Sequence, residues 1–110
     1  MKKSGADKDL DDFGRFSEPA LLILISLADG AKHGYAMTED IAEVSGERLG
    51  PGTLYGALAR LETRGFIEPL QSSDRRNPYR LTALGAKALR TRLAALEAVT
   101  RVGQRRLARA

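Results

Sequence analysis

The sequence predicts one small, mainly α-helical domain that carries a short β-hairpin. With 110 residues the chain has room for a single core, and its 43% apolar and 29% charged residues are typical of globular proteins. Most apolar residues recur at helical spacing, and only the runs 66–70 and 79–81 have the pattern of strands. We therefore do not expect a multi-domain enzyme, a fibre or a wholly disordered chain.

The first 16 residues predict a flexible N-terminal arm, because they are polar, rich in aspartate and without an apolar period. Phe13 and Phe16 are exceptions that either dock on the domain or a partner chain, or lie partly exposed. Residues 17–19, Ser-Glu-Pro, have the composition of a helix start. The helix continues to about Ala28 and is apolar on nearly every side, so it is expected to be the central core helix.

Two further helices are predicted before the hairpin. One begins near His33 and continues to Val44, and the other runs from about Thr53 to Arg64, with glycine residues after each helix as stop signals. Apolar residues recur on one side of both segments. Both helices are therefore expected to bury one face against the first.

The hairpin is followed by an unusually long helix. Strands at 66–70 and 79–81 enclose a polar loop, and Thr82 can cap a helix from Ala83 to about Ala108. A helix of about 26 residues is ~39 Å long, which exceeds the ~30 Å width of a small domain. Part of it must therefore project or pair with another chain.

This order of elements is that of a winged helix-turn-helix with an appended C-terminal dimerisation helix. Residues 1–16 form the arm in this prediction, residues 17–82 the DNA-binding domain, and residues 83–110 the dimerisation helix. The third helix would enter the major groove of double-stranded DNA.

The charge distribution agrees with a polyanionic partner for the C-terminal half. Residues 1–55 carry 6 basic and 10 acidic side chains, whereas residues 56–110 carry 12 basic and 4 acidic ones. A solvated basic face is the alternative, because such faces are common on proteins that bind no nucleic acid.

The third helix has one apolar side and one side suited to a groove. Leu54, Leu58 and Leu61 share the inward side. The outward side holds small, polar and basic residues: Thr53, Gly56, Ala59, Arg60 and Thr63, with Tyr55 and Arg64 at its edges. Arg75 and Arg76, at the tip of the hairpin, can lie along a DNA backbone or enter a minor groove. An ordinary amphipathic surface helix and a solvated turn are the alternatives.

The last helix has the heptad spacing of a helix pair, which predicts a homodimer. Its seam consists of Leu89, Leu93, Leu96, Thr100, Gly103 and Leu107, with Phe13 and Phe16 as further interface candidates. A second apolar stripe lies beside it, so one stripe can pack on the parent domain while the other meets a partner. The alternative is a single broad stripe buried within one chain.

The residue inventory excludes several classes of function. The chain has no cysteine and a single histidine, His33, so disulfide scaffolds and cysteine-ligated zinc are excluded. No catalytic residues, metal site or cofactor are predicted, and an enzyme is not expected. The longest apolar stretch, Ala20 to Ala28, is nine residues and is interrupted by Ser26, far short of the ~20 of a membrane span, and we expect a cytoplasmic protein.

Four separated motifs resemble those of the PadR family of bacterial transcriptional regulators. They are His-Gly-Tyr at 33–35, Gly-Thr-Leu-Tyr at 52–55 with Ala-Leu at 57–58 and Arg-Leu-Glu at 60–62, Gly-Phe-Ile at 65–67, and Tyr-Arg-Leu-Thr at 79–82 with Gly85. They occur in the family's order and spacing, and the resemblance covers residues 18 to about 90. Gly56 stands where the family commonly has proline.

The resemblance implies a dimeric repressor that is released from its operator by a small-molecule effector. It assigns DNA contacts to Tyr35, Thr53, Tyr55 and Arg60, and wing contacts to Arg75 and Arg76. The absence of tryptophan makes a sensor of flat aromatic drugs doubtful. The alternative function is a winged-helix protein-interaction module without its own effector.

Overall fold

The computed structural model describes residues 18–72 and 77–110. Within these residues, four helices and two strands follow the predicted order, which confirms the winged helix-turn-helix with a long C-terminal helix. The elements are α1 (Pro19–Ala28), α2 (Gly34–Ser45), α3 (Pro51–Thr63), β1 (Ile67–Pro69), β2 (Tyr79–Leu81) and α4 (Ala83–Arg109).

Helix α1 is the centre of the core. It packs against α2, α3, α4 and β2, and its side chains Ile23 and Leu27 are almost completely buried. Burying a side chain of this size contributes about 1.5–3 kcal/mol, so the apolar sequence of α1 explains why the other elements gather around it. Pro19 occupies the first turn as predicted, with Glu18 at the N-cap, while Ser17 lies outside the described residues.

Helix α3 begins at Pro51, two residues before the predicted start at Thr53. The glycine-rich segment before Thr53 predicted a link. Proline is nevertheless favoured in the first turn of a helix, because a backbone amide there would have no partner within the helix. The amide of Leu54 already donates to the carbonyl of Gly50 at 2.9 Å. Helix α2 ends as predicted at Gly46, whose φ of 77° is in the left-handed region that favours glycine.

The hairpin is joined to the link between α1 and α2 by one further bridge. Ile67 pairs with Leu81 in the antiparallel hairpin. The amide of Lys32 donates to the carbonyl of Tyr79 at 3.1 Å, and the amide of Tyr79 donates back to Lys32 at 2.9 Å. The Lys32 ammonium group also donates to the carbonyl of Ser26 at 2.5 Å. These bonds fix the hairpin beside the helix-turn-helix.

Thr82 and Gly85 connect the hairpin to α4 at close range. The Thr82 hydroxyl donates to the carbonyl of Gly65 at 2.6 Å and accepts from the amide of Gly85 at 3.0 Å, which confirms the predicted cap. Gly85 is buried, and a Cβ on it would overlap the carbonyl of Phe66 and approach Leu81 to 2.9 Å. The first turn of α4 can therefore lie against the hairpin only with glycine at this position.

We expect Gly85→Ala to lower the free energy of unfolding by at least 1–3 kcal/mol, the usual cost of overpacking, because backbone on both sides must move. Gly52→Ala is the control, since Gly52 lies in the first turn of α3 and a Cβ there has no atom of the described chain within 4 Å. That control should be neutral or stabilise by up to ~1 kcal/mol, because alanine is the better helix former. Urea denaturation measures both, and equal effects would contradict the proposed close contact.

Candidate nucleic-acid interface

Helix α3 separates its apolar and polar residues as the sequence predicted. Leu54, Leu58 and Leu61 are buried in the core. The opposite side, with Thr53, Ala59, Arg60 and Thr63, is exposed, and Arg64 is exposed just beyond the helix end. Burial of the leucine side fixes the rotation of the helix, so the small and basic side is presented to solvent.

Tyr55 is positioned by its contact with the start of α2. Its side chain is 53% exposed, and its hydroxyl lies so close to Gly34 that a Cβ there would come within 2.8 Å of it. Glycine at position 34 therefore leaves space for the Tyr55 ring. Tyr35, which follows Gly34 in the chain, is 73% exposed. Both tyrosine side chains are therefore accessible near the start of α2.

A hollow of about 1230 Å³ lies between the first turns of α2 and α3 and the hairpin. Tyr35, Tyr55 and Tyr79 line it from these three elements. Partial burial raises the pKa of the Tyr79 hydroxyl, and the nearby Glu62 carboxylate adds to this shift. Tyr79 therefore remains a neutral hydrogen-bonding group at physiological pH.

An exposed ion pair that the sequence analysis missed joins α2 to the turn between α2 and α3. The Arg48 guanidinium donates to both carboxylate oxygens of Glu39, at 2.7 and 3.2 Å. The hydrogen bond from Arg48 lowers the pKa of Glu39, and the same bond raises the pKa of Arg48. No periodic signal links two residues nine positions apart across a helix end, so the pair becomes visible only in the folded chain.

The tip of the wing lies outside the described residues. Arg75 and Arg76 belong to the segment 73–76, and their predicted contacts stay predictions. On the described part of the hairpin, Arg80 of β2 donates from Nε to Glu68 of β1 at 2.5 Å. The hairpin therefore uses one of its arginines for its own cross-strand pair.

The residues of the predicted dimer seam differ in their exposure along α4. Leu89 is only 6% exposed within its own chain, so a partner would find little of its surface left to cover, and its place in the dimer interface stays a prediction. Leu96 is half-buried, while Leu93, Thr100 and Leu107 are exposed. Phe13 and Phe16 lie outside the described residues.

Metal and membrane sites can be assessed for the part of the chain that the structure describes. Within residues 18–72 and 77–110, His, Asp and Glu side chains form no group of three or more that could hold a metal ion. None of the helices in these ranges is long and apolar enough to cross a membrane.

Comparison with known proteins identifies the family. A model of the transcriptional regulator PadR-like family matches residues 23–91. The chain is 38% identical over 84 residues to a transcriptional regulator of Mycobacterium tuberculosis, covering 74% of this chain and 78% of that protein. The structure is similar to that of a PadR family transcription regulator from Clostridium difficile, with a TM-score of 0.73 and 28% identity over 81% of this chain and 97% of the other.

A further relative is much longer than this chain. An uncharacterized 37.1 kDa protein in a transposon of Streptomyces fradiae is 49% identical over 75 residues, which cover 68% of this chain but only 22% of that protein. The family match over residues 23–91 includes α2, α3 and the hairpin, the elements that build the candidate interface. The chain belongs to the PadR-like family of transcriptional regulators.

Proposed function

We propose that this protein is a sequence-specific DNA-binding transcriptional regulator whose helix α3 reads the major groove. The observation that carries the proposal is the exposed side of α3, where Arg60 lies among small and hydroxyl-bearing residues. Such a side fits a major groove ~12 Å wide, and an arginine there can form paired hydrogen bonds with guanine. Membership of a family of transcriptional regulators supports the same function.

The first turns of α2 and α3 are suited to bind the DNA backbone. In the described chain, the His33 side chain at the N-cap of α2 accepts no hydrogen bond from its helix, and the N-cap of α3 is Gly50, which has no side chain to do so. The free amides and the positive end of each helix favour a phosphate group. Tyr35 and Tyr55 add hydroxyl donors beside these turns. Phosphate contacts of this kind fix the register in which α3 meets the bases.

We further propose that two copies associate through α4. Exposed apolar side chains continue along this helix, including Leu93 at 41%, Val99 at 69% and Leu107 at 77% exposure. Apolar residues at these positions gain free energy when a partner covers them. Two α3 helices held at a fixed separation would then occupy successive major grooves about 34–36 Å apart.

The family resemblance adds repression and release by a small-molecule effector to this proposal. An effector held between α4 and the domain body would change the separation of the two α3 helices and thereby favour the free state of the protein. A cytoplasmic location follows from a function on chromosomal DNA.

Arg60→Ala should reduce the discrimination between the operator and random DNA by about 1–3 kcal/mol per half-site, if Arg60 pairs with a guanine. The operator is first selected from random duplexes with the purified protein. Anisotropy titrations then measure the ratio of the affinities for the operator and for random DNA. Equal losses on both DNAs would make Arg60 a phosphate contact. If the unmodified protein bound neither DNA in a salt-dependent manner, the protein-interaction module would be the better description.

Gly34→Ala should weaken operator binding while leaving the stability nearly unchanged, because only the exposed end of the Tyr55 side chain has to move. Loss of a hydrogen bond to a charged phosphate costs about 1.5–3 kcal/mol. Tyr55→Phe removes the same hydroxyl directly. The double variant should therefore bind no more weakly than Tyr55→Phe alone, and additive losses would show that Gly34 does not act through Tyr55.

Leu93→Asp should dissociate the dimer, because association would bury an unpaired carboxylate. We expect the dissociation constant of the dimer to rise more than tenfold, which corresponds to about 1.4 kcal/mol. Thr91→Asp is the matched control: it adds the same charge to the same helix at an exposed position about 160° away around the axis. Sedimentation velocity distinguishes the two variants, and an intact Leu93→Asp dimer would place the interface elsewhere.

A further inference from the structure

Helix α4 carries a stripe of basic side chains that helix α3 and the hairpin do not use. With about 100° between successive residues, the stripe occupies an arc of about 100° around the helix. Its members are Lys87, Arg90, Arg101, Arg105 and Arg109, and all of them are exposed. Small uncharged residues, Thr91, Ala94 and Ala98, lie between them on the same side.

The stripe faces away from the packed side of α4. Leu89 is in the core, and Arg92 pairs with Glu18 at the start of α1, with 3.4 Å between the nitrogen and oxygen atoms. Both residues lie outside the arc of the stripe, on the side that meets α1. Packing against the parent domain therefore leaves the stripe open to solvent.

The stripe has a large excess of positive charge. Arg101 pairs with Glu97 at 2.5 Å, whereas Arg105 and Arg109 follow it at successive intervals of four residues. Like charges at this spacing repel one another and destabilise a helix. A second copy of the chain cannot relieve this repulsion by pairing stripe against stripe, but a polyanion can.

We propose that the basic stripe of α4 binds the phosphate backbone of a second DNA segment while α3 occupies the operator. The stripe extends ~33 Å from Lys87 to Arg109, close to one turn of B-form DNA. Arginine is well suited to it because its planar group can form paired hydrogen bonds with phosphate. The contact is independent of base sequence and would let one regulator hold two duplexes together.

The two DNA sites of the proposal lie on different helices. Helices α3 and α4 both pack on α1 through their apolar sides, so the exposed side of each points away from its contact with α1. The proposal places the operator duplex on the exposed side of α3 and the second duplex on the exposed stripe of α4. DNA is favoured over an acidic protein as the partner because a protein bound to its operator meets neighbouring DNA at high local concentration.

The test rests on the proposed operator binding. Its two stages distinguish operator binding by α3 from binding of a second duplex by the basic stripe. The full-length protein is first loaded onto an immobilised operator duplex, and a labelled duplex of random sequence is then added at increasing salt concentration. Failure to load would count against operator reading by α3. Loading followed by capture of the second duplex is the result expected for the basic stripe.

Arg105→Gln/Arg109→Gln should retain operator loading and lose most of the capture. The slope of log affinity against log salt for the second duplex should fall by about 2 for each protomer that contacts it. Arg92→Gln/Arg106→Gln is the matched control, because it removes the same charge from α4 outside the stripe and should leave the slope unchanged. Circular dichroism and sedimentation confirm that both variants fold and associate like the parent.

Three results would overturn the proposal. Capture that is unaffected by Arg105→Gln/Arg109→Gln would place the second duplex elsewhere. Equal losses of capture in the two double variants would show that capture depends on the net charge of α4 and not on the stripe. A loaded complex that binds polyglutamate at the stripe but no second duplex would identify the partner as an acidic protein surface.

Discussion

The burial of α1 on nearly every side is the constraint on which the rest of the structure depends. A helix this apolar must be covered in all directions, so α2, α3 and α4 each turn one apolar face toward it. The rotation of each surrounding helix is then fixed by its own apolar residues. For α3 this means that packing Leu58 inward presents Arg60 outward, so the candidate reading surface is a direct result of core packing.

The sequence predicted the features that depend on neighbouring residues. Pro19, Gly46 and Thr82 mark helix ends through local chemistry, and all three lie at helix ends in the structure. Contacts between distant segments left no such signal. The bridge between Lys32 and Tyr79 joins a loop to a strand, and the spacing of Leu89 along α4 is the same whether it meets α1 or a partner chain. A periodic pattern therefore shows that a face is buried without showing what buries it.

The hollow beside α3 shows how a glycine can leave space for a side chain that is distant in the sequence. Gly34 and Tyr55 lie on different helices, and a Cβ at position 34 would displace the hydroxyl end of the Tyr55 side chain. Gly85 has the same effect on a larger element, since it lets α4 approach the carbonyl of Phe66. Motif similarity identified both glycines, but only the structure assigns them a physical reason, which is space for an aromatic ring in one case and for backbone in the other.

The long helix α4 divides its circumference between two kinds of interaction. Its packed side, around Leu89, is fixed by α1, which sets the direction in which the helix leaves the domain. Beyond Leu96 the apolar side chains are exposed, and the stripe of Lys87, Arg90, Arg101, Arg105 and Arg109 occupies an arc separate from the leucine side chains. Arg92 and Arg106 lie outside this arc. Association through the leucine side chains would therefore leave the stripe in solvent. In the proposed dimer the same helix would determine the separation of the two α3 helices and still present positive charge outward.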